Sequence, residues 1–331
     1  MKLTTMMFCC FMLLAVACSR EDETTAEPLP PTPPGPSATP VETLPPNANY
    51  RPAFTGQTRI NGMTTATAIR SNIITTALSA PWGITSLPDG RLLITEKQGR
   101  LRLVTTAGVV AEPISGLPAV NAAGQGGLLG LCLDPQFATN RMLYWSFSEP
   151  SAGGNVTAIA KGRLSDNDRS LENVVVIYRA APAYAGSNHY GGRVIFDRTG
   201  NLIISSGERA DNATRVQAQS VSSALGKIIR INRDGQPAAG NPAFSQTGAR
   251  PELYSMGHRN PQGLAMHPLT GEIWQSEHGP RGGDEINRLE AGANYGWPII
   301  TYGLEYSGQA LGSGIQQQDG LTQPVYYWDP V

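Results

Sequence analysis

A hairpin unit that recurs along the chain is the feature that most limits the fold. Each copy has a glycine, a short apolar stretch, a turn rich in Pro, Asp or Gly, and a second apolar stretch. The glycines that mark the copies, Gly83, Gly130, Gly192 and Gly263, follow one another at intervals of roughly 45 to 70 residues. This spacing is typical of four-stranded propeller blades that carry insertions. The sequence therefore predicts an all-β chain and, within that class, a β-propeller.

The charge balance argues against one class of partner. The 331 residues include 25 Lys and Arg and 26 Asp and Glu, which gives a net charge of −1. Because no basic field would attract a phosphate backbone, nucleic acid is not an expected partner. A hydrophobic fraction of 40% suffices for a buried core, and 37 Gly with 26 Pro fit short strands joined by tight turns.

The first 18 residues have the pattern of an export signal. Lys2 supplies a positive start, and an apolar run from Met6 to Val16 is short for a membrane-spanning helix. The end of the run, up to Cys18, resembles the lipobox of bacterial lipoproteins, which implies a lipid anchor on Cys18. The string AVA at 15–17 equally fits an ordinary signal peptidase site. We expect an exported protein of the periplasm or cell envelope.

Residues 19–65 are dense in Pro, Thr and Glu and are predicted to be a disordered linker before a propeller domain at 66–331. Such a segment would act as a stalk above a membrane, or as a disordered exported N-terminus with no anchoring role. Beyond the signal region the chain has one cysteine, Cys132, which is expected to be a buried apolar residue.

Three loops carry the reactive side chains. They are the strings NHYGG at 188–192, GHRNPQG at 257–263 and EHGPRGGDEIN at 277–287. In a propeller, loops that are far apart in sequence meet over one end of a central channel. The three strings are therefore expected to form one site.

Together with GQGGLLG (124–130), LGKIIRIN (225–232) and NYGWP (294–298), these strings resemble the soluble quinoprotein glucose/sorbosone dehydrogenases from about Pro81 onward. The resemblance implies a six-bladed propeller that oxidises aldose sugars at the anomeric carbon. It also implies pyrroloquinoline quinone (PQQ) held beside Ca²⁺ and an external electron acceptor.

The resemblance assigns roles to individual residues. His189 is implied to be the general base, which suits an imidazole whose ordinary pKa is about 6.5. Arg259 is implied to stabilise developing negative charge and to contact the cofactor, and Glu208 to orient the base. The further cofactor contacts implied are Gln125, Asn260 and Tyr306.

The calcium ligands implied by the resemblance are the carbonyl groups of Gly279 and Pro280, together with Glu285 and Tyr295. Ca²⁺ takes about six to eight oxygen ligands, among which carbonyls and carboxylates are common. An oxygen-rich Gly-Pro turn of this kind fits that preference.

Members of the family continue past the point where this chain ends. The string YYWDPV at 326–331 is expected to open a further blade, which would leave the last blade incomplete. Two other functions stay open at this stage. One is a calcium-dependent propeller lactonase, and the other is a non-catalytic propeller that binds a partner at the cell surface.

Overall fold

The computed structural model describes residues 36–331, and most of their regular structure is antiparallel β-sheet. A two-stranded sheet is followed by four larger sheets, in each of which every strand pairs with the one before it. The strands are β1 (Pro36–Pro40), β2 (Asn61–Met63), β3 (Pro81–Ser86), β4 (Leu92–Glu96), β5 (Arg100–Val104), β6 (Leu128–Leu133), β7 (Met142–Ser151), β8 (Gly154–Leu164), β9 (Leu171–Arg179), β10 (Val194–Phe196), β11 (Leu202–Ser206), β12 (Lys227–Ile231), β13 (Leu253–Met256), β14 (Pro261–Met266), β15 (Ile273–Glu277), β16 (Asp284–Leu289) and β17 (Tyr326–Trp328). The helices are single turns, α1 (Phe137–Asn140) and α2 (Asn212–Arg215), and α2 continues as the 3₁₀ turn Val216–Gln219.

The four larger sheets are arranged as the blades of a propeller. They comprise β3 to β5, β6 to β9, β10 to β13, and β14 to β17. Their first strands pack side by side, β3 against β6, β6 against β10, and β10 against β14. The described residues therefore form an all-β, propeller-like arrangement with four blade sheets, and this much of the predicted fold is confirmed.

Two of the landmark glycines, Gly83 and Gly130, lie against the backbone of the next blade. A β-carbon on Gly83 would stand 2.7 Å from the carbonyl oxygen of Leu129, and one on Gly130 would stand 2.5 Å from that of Gly192. The pairings of β3 with β4 and of β6 with β7 are irregular around Gly83 and Gly130. Glycine is required at these positions because the backbone of the next blade occupies the space of a side chain.

Buried hydroxyl groups join these glycines to the next blade. The Gly83 N–H donates to Thr95 Oγ1 at 2.8 Å, and that hydroxyl donates to the Leu129 carbonyl at 2.6 Å. The Gly130 N–H donates to Ser146 Oγ at 2.9 Å, and that hydroxyl donates to the Gly192 carbonyl. Each hydroxyl thus satisfies one buried group in its own blade and one in its neighbour.

Apolar cores fill the spaces between neighbouring sheets. Successive side chains on a strand point to opposite faces, so the two inner sheets contribute to two cores each. In β8, Ala158 and Ala160 pack toward the first blade and Ile159 packs toward the third. In β11, Leu202 packs toward the second blade and Ile203 toward the fourth. Alternation on both faces explains the near-continuous apolar runs in these strands.

Residues 36–65, the described part of the predicted linker, contain two paired strands and pack against the propeller. β1 pairs with β2, and the residues between these two strands reach the outer edge of the fourth blade. Gln57 is fully buried there. Its side-chain Nε2 donates to the Pro324 carbonyl at 2.9 Å, and its backbone carbonyl accepts from the Tyr327 N–H at 3.0 Å. The prediction of disorder thus differs from the structure over 36–65. Composition does not reveal contacts of this kind, because they are made by backbone and amide groups.

A carboxylate reinforces the same contact. Asp329 is 3% exposed and accepts hydrogen bonds from the N–H groups of Asn47 and Ala48 at 3.0 and 3.2 Å. Arg59 donates to the carbonyl of Asp329 at 3.0 Å. We call residues 42–59 the N-terminal clasp.

The prediction for the string at 326–331 is wrong. β17 is the fourth strand of the β14 to β17 blade, with Tyr327 opposite Glu285 of β16, and so it does not open a further blade. The last described blade therefore has four strands, and the first, β3 to β5, has three. An aromatic triplet indicates a strand without indicating which neighbour the strand pairs with.

The predicted signal peptide at 1–18, the anchor at Cys18 and the linker residues 19–35 lie outside the described residues and stay predictions. In the part of the chain that the structure describes, no helix has both the length and the apolar character needed to cross a membrane. Cys132 is partly buried against the core between the second and third blades, and burial raises the pKa of its thiol.

Replacing Gln57 with Ala tests the N-terminal clasp. The change leaves the Pro324 carbonyl and the Ala53 N–H without their amide partner, so we expect a loss of about 1–3 kcal/mol in the free energy of unfolding. Urea denaturation measures this, and proteolysis within 42–59 should become faster. Gln136→Ala, at an exposed glutamine, is the control. Equal stability of the two variants would contradict the contact.

Candidate active site

His189 lies in the loop from β9 to β10, which connects the second blade to the third. Its backbone is left-handed, with φ of 46°, and its N–H donates to Gln125 Oε1 at 2.8 Å. The residue is only 7% exposed. Gly191 follows with φ of 64°, and a β-carbon there would lie 2.7 Å from the carbonyl oxygen of Ser205. The NHYGG string therefore folds as a tight loop pressed against β11.

Glu208 holds the imidazole ring. It follows β11, is 1% exposed, and places Oε1 at 2.7 Å from His189 Nδ1, while its Oε2 accepts from the Ala210 N–H at 2.9 Å. An ionised carboxylate only accepts hydrogen bonds, so Nδ1 carries the ring proton and Nε2 keeps its lone pair. Among the hydrogen bonds of residues 36–331, none involves Nε2 of His189.

The surroundings of His189 keep the ring neutral. Burial lowers its pKa below the ordinary value, the hydrogen bond to Glu208 opposes this, and the charge of Arg259 adds to the lowering. A neutral imidazole with a free Nε2 can accept a proton near pH 7. This is the state that a general base requires.

The other three histidines have different surroundings. His258 is fully buried, with Nδ1 at 3.0 Å from Glu277 Oε1 and Nε2 at 2.8 Å from Ser255 Oγ. His278 uses Nε2 on Gln262 and lies beside Asp284, which raises the pKa of its ring. His267 accepts a hydrogen bond in the turn after β14. Of the four histidines, only His189 has one ring nitrogen bound to a carboxylate and the other nitrogen free in the same cavity.

Arg259 is fixed beside His189 but keeps an unused donor. Its N–H donates to Glu277 Oε2 at 2.6 Å, and its Nη1 donates to the His278 carbonyl at 3.1 Å. The guanidinium carbon lies 5.3 Å from the centre of the Trp297 ring. Arg259 is 7% exposed, and its buried Nε has no hydrogen-bond partner. A buried donor of this kind costs energy unless a ligand pairs with it.

A cavity of about 280 Å³ brings these groups together. Six of the residues predicted from the sequence line it: Gln125, His189, Glu208, Arg259, Pro280 and Tyr306. Sequence reasoning missed the remaining lining residues, which are Asn188, Ala210, Arg215, Trp297 and Glu305. Loops from separate blades therefore converge on one site, as predicted.

The missed residues include an ion pair. Arg215 Nη1 lies 2.6 Å from Glu305 Oε1, and the guanidinium carbon of Arg215 lies 5.8 Å from the centre of the Trp297 ring. The Nε of Arg215 is buried without a partner, as in Arg259. The cavity therefore contains two guanidinium groups with unused donors, which suits a planar, anionic ligand.

Asn260 lies beside the site rather than in the lining of the cavity. It is 1% exposed, and its Oδ1 accepts from the Gly191 N–H at 3.0 Å. The side chain thus fastens the histidine loop to the start of β14. The structure supports a positioning role for Asn260 more directly than the predicted cofactor contact.

The four predicted calcium ligands divide between two neighbouring places. Pro280 lines the His189 cavity, whereas Gly279, Glu285 and Tyr295 line a separate cavity of about 10 Å³. Among the hydrogen bonds of residues 36–331, none is accepted by the carbonyl oxygens of Gly279, Pro280 or Tyr295. No group of three or more His, Cys, Asp or Glu side chains in this range is arranged to hold a metal. A metal here would therefore depend on carbonyl oxygens.

The small cavity has the electrostatics of a cation site. Burial raises the pKa of Glu285 well above its ordinary value, and the charge of Glu277 raises it further. Asn287 Nδ2 lies 3.3 Å from Glu277 Oε1 and 3.2 Å from Glu285 Oε2, but it is a neutral donor. A divalent cation would offset the repulsion of two buried carboxylates, so these residues fit Ca²⁺.

Comparison with known proteins places the chain in a family. The family described as Glucose / Sorbosone dehydrogenase matches residues 78–331, which include all four blade sheets and the whole cavity. The chain belongs to the glucose/sorbosone dehydrogenase family. Aldose sugar dehydrogenase YliI of Escherichia coli (strain K12) is 41% identical over 266 residues, which cover 78% of this chain and 70% of that protein.

Solved structures of family members agree with the fold. The apo crystal structure of the soluble aldose sugar dehydrogenase from Escherichia coli has a TM-score of 0.74 at 40% identity and covers 78% of this chain and 75% of that one. The PQQ-bound aldose sugar dehydrogenase of Streptomyces coelicolor has a TM-score of 0.65 at 32% identity, over 78% and 70%. Quinoprotein glucose dehydrogenase B of Acinetobacter calcoaceticus is 30% identical over 72% of this chain and 54% of that protein.

Within this family assignment, the missed cavity residues differ in how far the sequence could reveal them. Asn188 and Trp297 lie inside the quoted strings NHYGG and NYGWP, so their loops were already candidates. Arg215 and Glu305 lie outside every string and come from α2 and from the loop before β17. Only the folded arrangement brings that pair to the cavity.

The pKa of His189 provides a test of its surroundings. We expect the ring in the apo protein to titrate below the ordinary value of about 6.5. Glu208→Gln should lower the pKa further, because it removes the carboxylate that favours the protonated ring. Nitrogen-detected NMR of the histidine rings measures both. Glu172→Gln, at an exposed carboxylate of β9, should change nothing. A higher His189 pKa in Glu208→Gln would refute this account.

Proposed function

We propose that this chain is a PQQ- and Ca²⁺-dependent aldose dehydrogenase that converts the anomeric C–OH of an aldose to a lactone. The observation that carries the proposal is the Glu208–His189 pair, whose free Nε2 shares a cavity with Arg259. The named activities of the relatives support the same reaction class.

The residues of this chain divide the reaction between them. His189 Nε2 takes the proton of the anomeric hydroxyl, while the anomeric hydrogen departs as hydride with two electrons and the C=O bond forms. Glu208 stabilises the resulting imidazolium and keeps Nε2 turned to the sugar. Arg259, which is 7% exposed, stabilises the negative charge that develops on the reacting oxygen atoms.

When bound, PQQ would supply the two-electron acceptor for the hydride, and Ca²⁺ would supply Lewis-acid polarisation of that acceptor. Arg215 and Arg259 are the residues that would hold an anionic cofactor, since each has an unpaired buried Nε. Gln125 has its side-chain oxygen committed to His189, which leaves its NH₂ group free for a ligand. The residues that would hold Ca²⁺ are Gly279, Glu285 and Tyr295 in the small cavity and Pro280 beside it, through their carbonyl oxygens and the Glu285 carboxylate.

We also propose a six-bladed ring, export of the protein and a lipid anchor. A six-bladed ring is proposed from the resemblance to the family, and the four blade sheets of residues 81–328 would be four of its blades. Export through residues 1–18, with an anchor at Cys18, is supported by the sequence pattern of that segment. A lactonase would need a cluster of acidic and amide ligands at the channel, and no observation on residues 36–331 favours one.

The direct test is reconstitution. Protein incubated with PQQ and Ca²⁺ should reduce an electron-accepting dye when aldoses are added. His189→Gln should lower turnover by roughly two to four orders of magnitude while PQQ still binds, because only the proton acceptor is lost. His267→Gln is the control. Lack of dye reduction by the wild type with bound PQQ would refute the dehydrogenase, and lactone hydrolysis would favour the lactonase.

Calcium removal tests the metal sites. A chelator should abolish dye reduction, and added Ca²⁺ should restore it. Ca²⁺ should also raise the melting temperature of the protein without PQQ, because a ligand that binds only the folded state stabilises it. Glu285→Gln should reduce this rise, whereas Glu272→Gln, an exposed carboxylate of the same blade, should not. An unchanged rise in Glu285→Gln would remove Glu285 from the ligands.

A further inference from the structure

Backbone strain is concentrated around the histidine loop. Eight non-glycine residues within 36–331 have left-handed φ values, and three of them lie at this site. They are His189 at 46°, Arg209 at 78° and Ala210 at 63°. Side-chain-bearing residues adopt this conformation only where the surroundings enforce it, and such residues cluster at functional sites. The left-handed backbone of Arg209 must therefore be maintained by contacts of its side chain and its neighbours.

The side chain of Arg209 is buried among acceptors of the histidine loop. It is 2% exposed, and its Nε donates to the Asn188 carbonyl at 3.0 Å. Its Nη2 donates to the Gly186 carbonyl at 2.5 Å. The guanidinium carbon lies 4.0 Å from the centre of the Tyr190 ring. Arg209 therefore contacts residues on both sides of His189.

A strand of the second blade provides the remaining hydrogen-bond acceptors for Arg209. Asn155, near the start of β8, accepts from Arg209 through its carbonyl at 3.2 Å and through its Oδ1 at 2.6 Å. The same Oδ1 accepts from the Tyr190 hydroxyl at 2.7 Å, and Asn155 Nδ2 donates to the Gly186 carbonyl at 3.2 Å. Arg209, which follows a strand of the third blade, thus ties the histidine loop to β8 of the second blade.

The partners of Arg209 are unusual for a buried guanidinium. Within residues 36–331, no carboxylate accepts a hydrogen bond from it, and its partners are carbonyl groups, one amide oxygen and an aromatic ring. Desolvation of a charge is costly, and these contacts compensate for it only in this loop conformation. Its neighbour Glu208 holds the His189 ring, so the two adjacent residues hold the ring and the backbone of the same loop.

We propose that Arg209 is a positioning residue for the general base, which holds residues 186–190 so that His189 keeps Nε2 in the cavity and Nδ1 on Glu208. The catalytic part of this inference rests on the proposed function. The positioning part concerns the protein alone and is measurable without PQQ.

Arg141 provides a matched control within the chain. It is also left-handed, with φ of 55°, and it donates to the carbonyls of Leu164 and Ser165, each at 2.9 Å. Its guanidinium carbon lies 5.7 Å from the centre of the Phe137 ring. It follows α1 in the second blade and does not line the His189 cavity. Arg141 also forms an ion pair with Asp168, so Arg141→Met removes comparable carbonyl contacts and a carboxylate contact as well, at a distance from the proposed base.

The first measurement is the titration of His189 by NMR in the apo protein. The groups that act on its ring are Glu208, Arg259 and His278, and burial is the largest influence. Loss of the Arg209 side chain should loosen the loop, which admits water and weakens the bond from His189 to Glu208. Water raises the His189 pKa and a weaker bond lowers it; because burial is the larger influence, the pKa should move up toward its ordinary value in Arg209→Met. Arg141→Met should leave it unchanged even if the melting temperature falls. An unchanged His189 titration in folded Arg209→Met overturns the proposal.

The second measurement is kinetic. Displacement of a base by about 1 Å costs up to about 100-fold in rate, so Arg209→Met should lower kcat by about 10- to 100-fold with a KM within about threefold of the wild type. Arg209→Lys keeps the charge but cannot reach all four acceptors, so its kcat and His189 pKa should fall between those of wild type and Arg209→Met.

If Arg209→Met does not fold, Arg209→Lys decides the matter, and a Lys variant identical to wild type in both measurements overturns the proposal. If the wild type oxidises no aldose, the proposed function fails, and the apo titration still tests Arg209.

Discussion

The hydroxyl bridge between neighbouring blades is the interaction on which the rest of the structure depends. Thr95 and Ser146 each accept from a glycine N–H of their own blade and donate to a carbonyl of the next. A buried N–H or carbonyl left without a partner would cost about 1–3 kcal/mol. The Thr95 bridge pairs two such groups at once, whereas the Ser146 bridge reinforces a direct hydrogen bond from the Gly130 N–H to the Gly192 carbonyl at 3.1 Å. The bridge also requires glycine opposite the hydroxyl, because any side chain would collide with the next blade. These contacts hold the first blade against the second and the second against the third.

The candidate site uses a position that the blades share. Glu96, Glu208 and Glu277 are buried carboxylates at or just after the end of the second strand of three blades. Glu208 and Glu277 each bind a histidine 19 residues earlier in the chain. The histidine of the fourth blade is closed off on both sides, by Ser255 at Nε2 and by the stacked Tyr295 ring at 4.8 Å. The same local arrangement is thus structural in one blade and faces the cavity in the other. The difference lies in the neighbours of the ring rather than in the His–Glu pair.

Much of this arrangement was predictable, and the limits have physical causes. The repeated glycines predicted the blades because each copy of the hairpin unit contains one, and the NHYGG and GHRNPQG strings located the proposed base and the arginine beside it. The pairing of β17 and the order of residues 42–59 were not predictable, because both depend on contacts between distant segments rather than on local pattern. Arg209, Arg215 and Glu305 gave no signal for a similar reason. A single charged residue in a loop is compatible with solvent exposure, and only the folded chain shows which of them is buried or faces the cavity.

The rigidity of the site follows from where its supports originate. The ring of His189 is held by Glu208 of the third blade, its backbone N–H by Gln125 before the second blade, and its loop by Asn155 within the second blade and Asn260 at the start of the fourth. No single blade could supply these contacts, so the left-handed backbone of His189 is maintained jointly by the second, third and fourth blades. The free energy that holds the base in place is therefore supplied during folding, by the interfaces between blades. A site prepared in this way does not have to order its base when a sugar arrives, which is the condition under which a fixed proton acceptor contributes most to the rate.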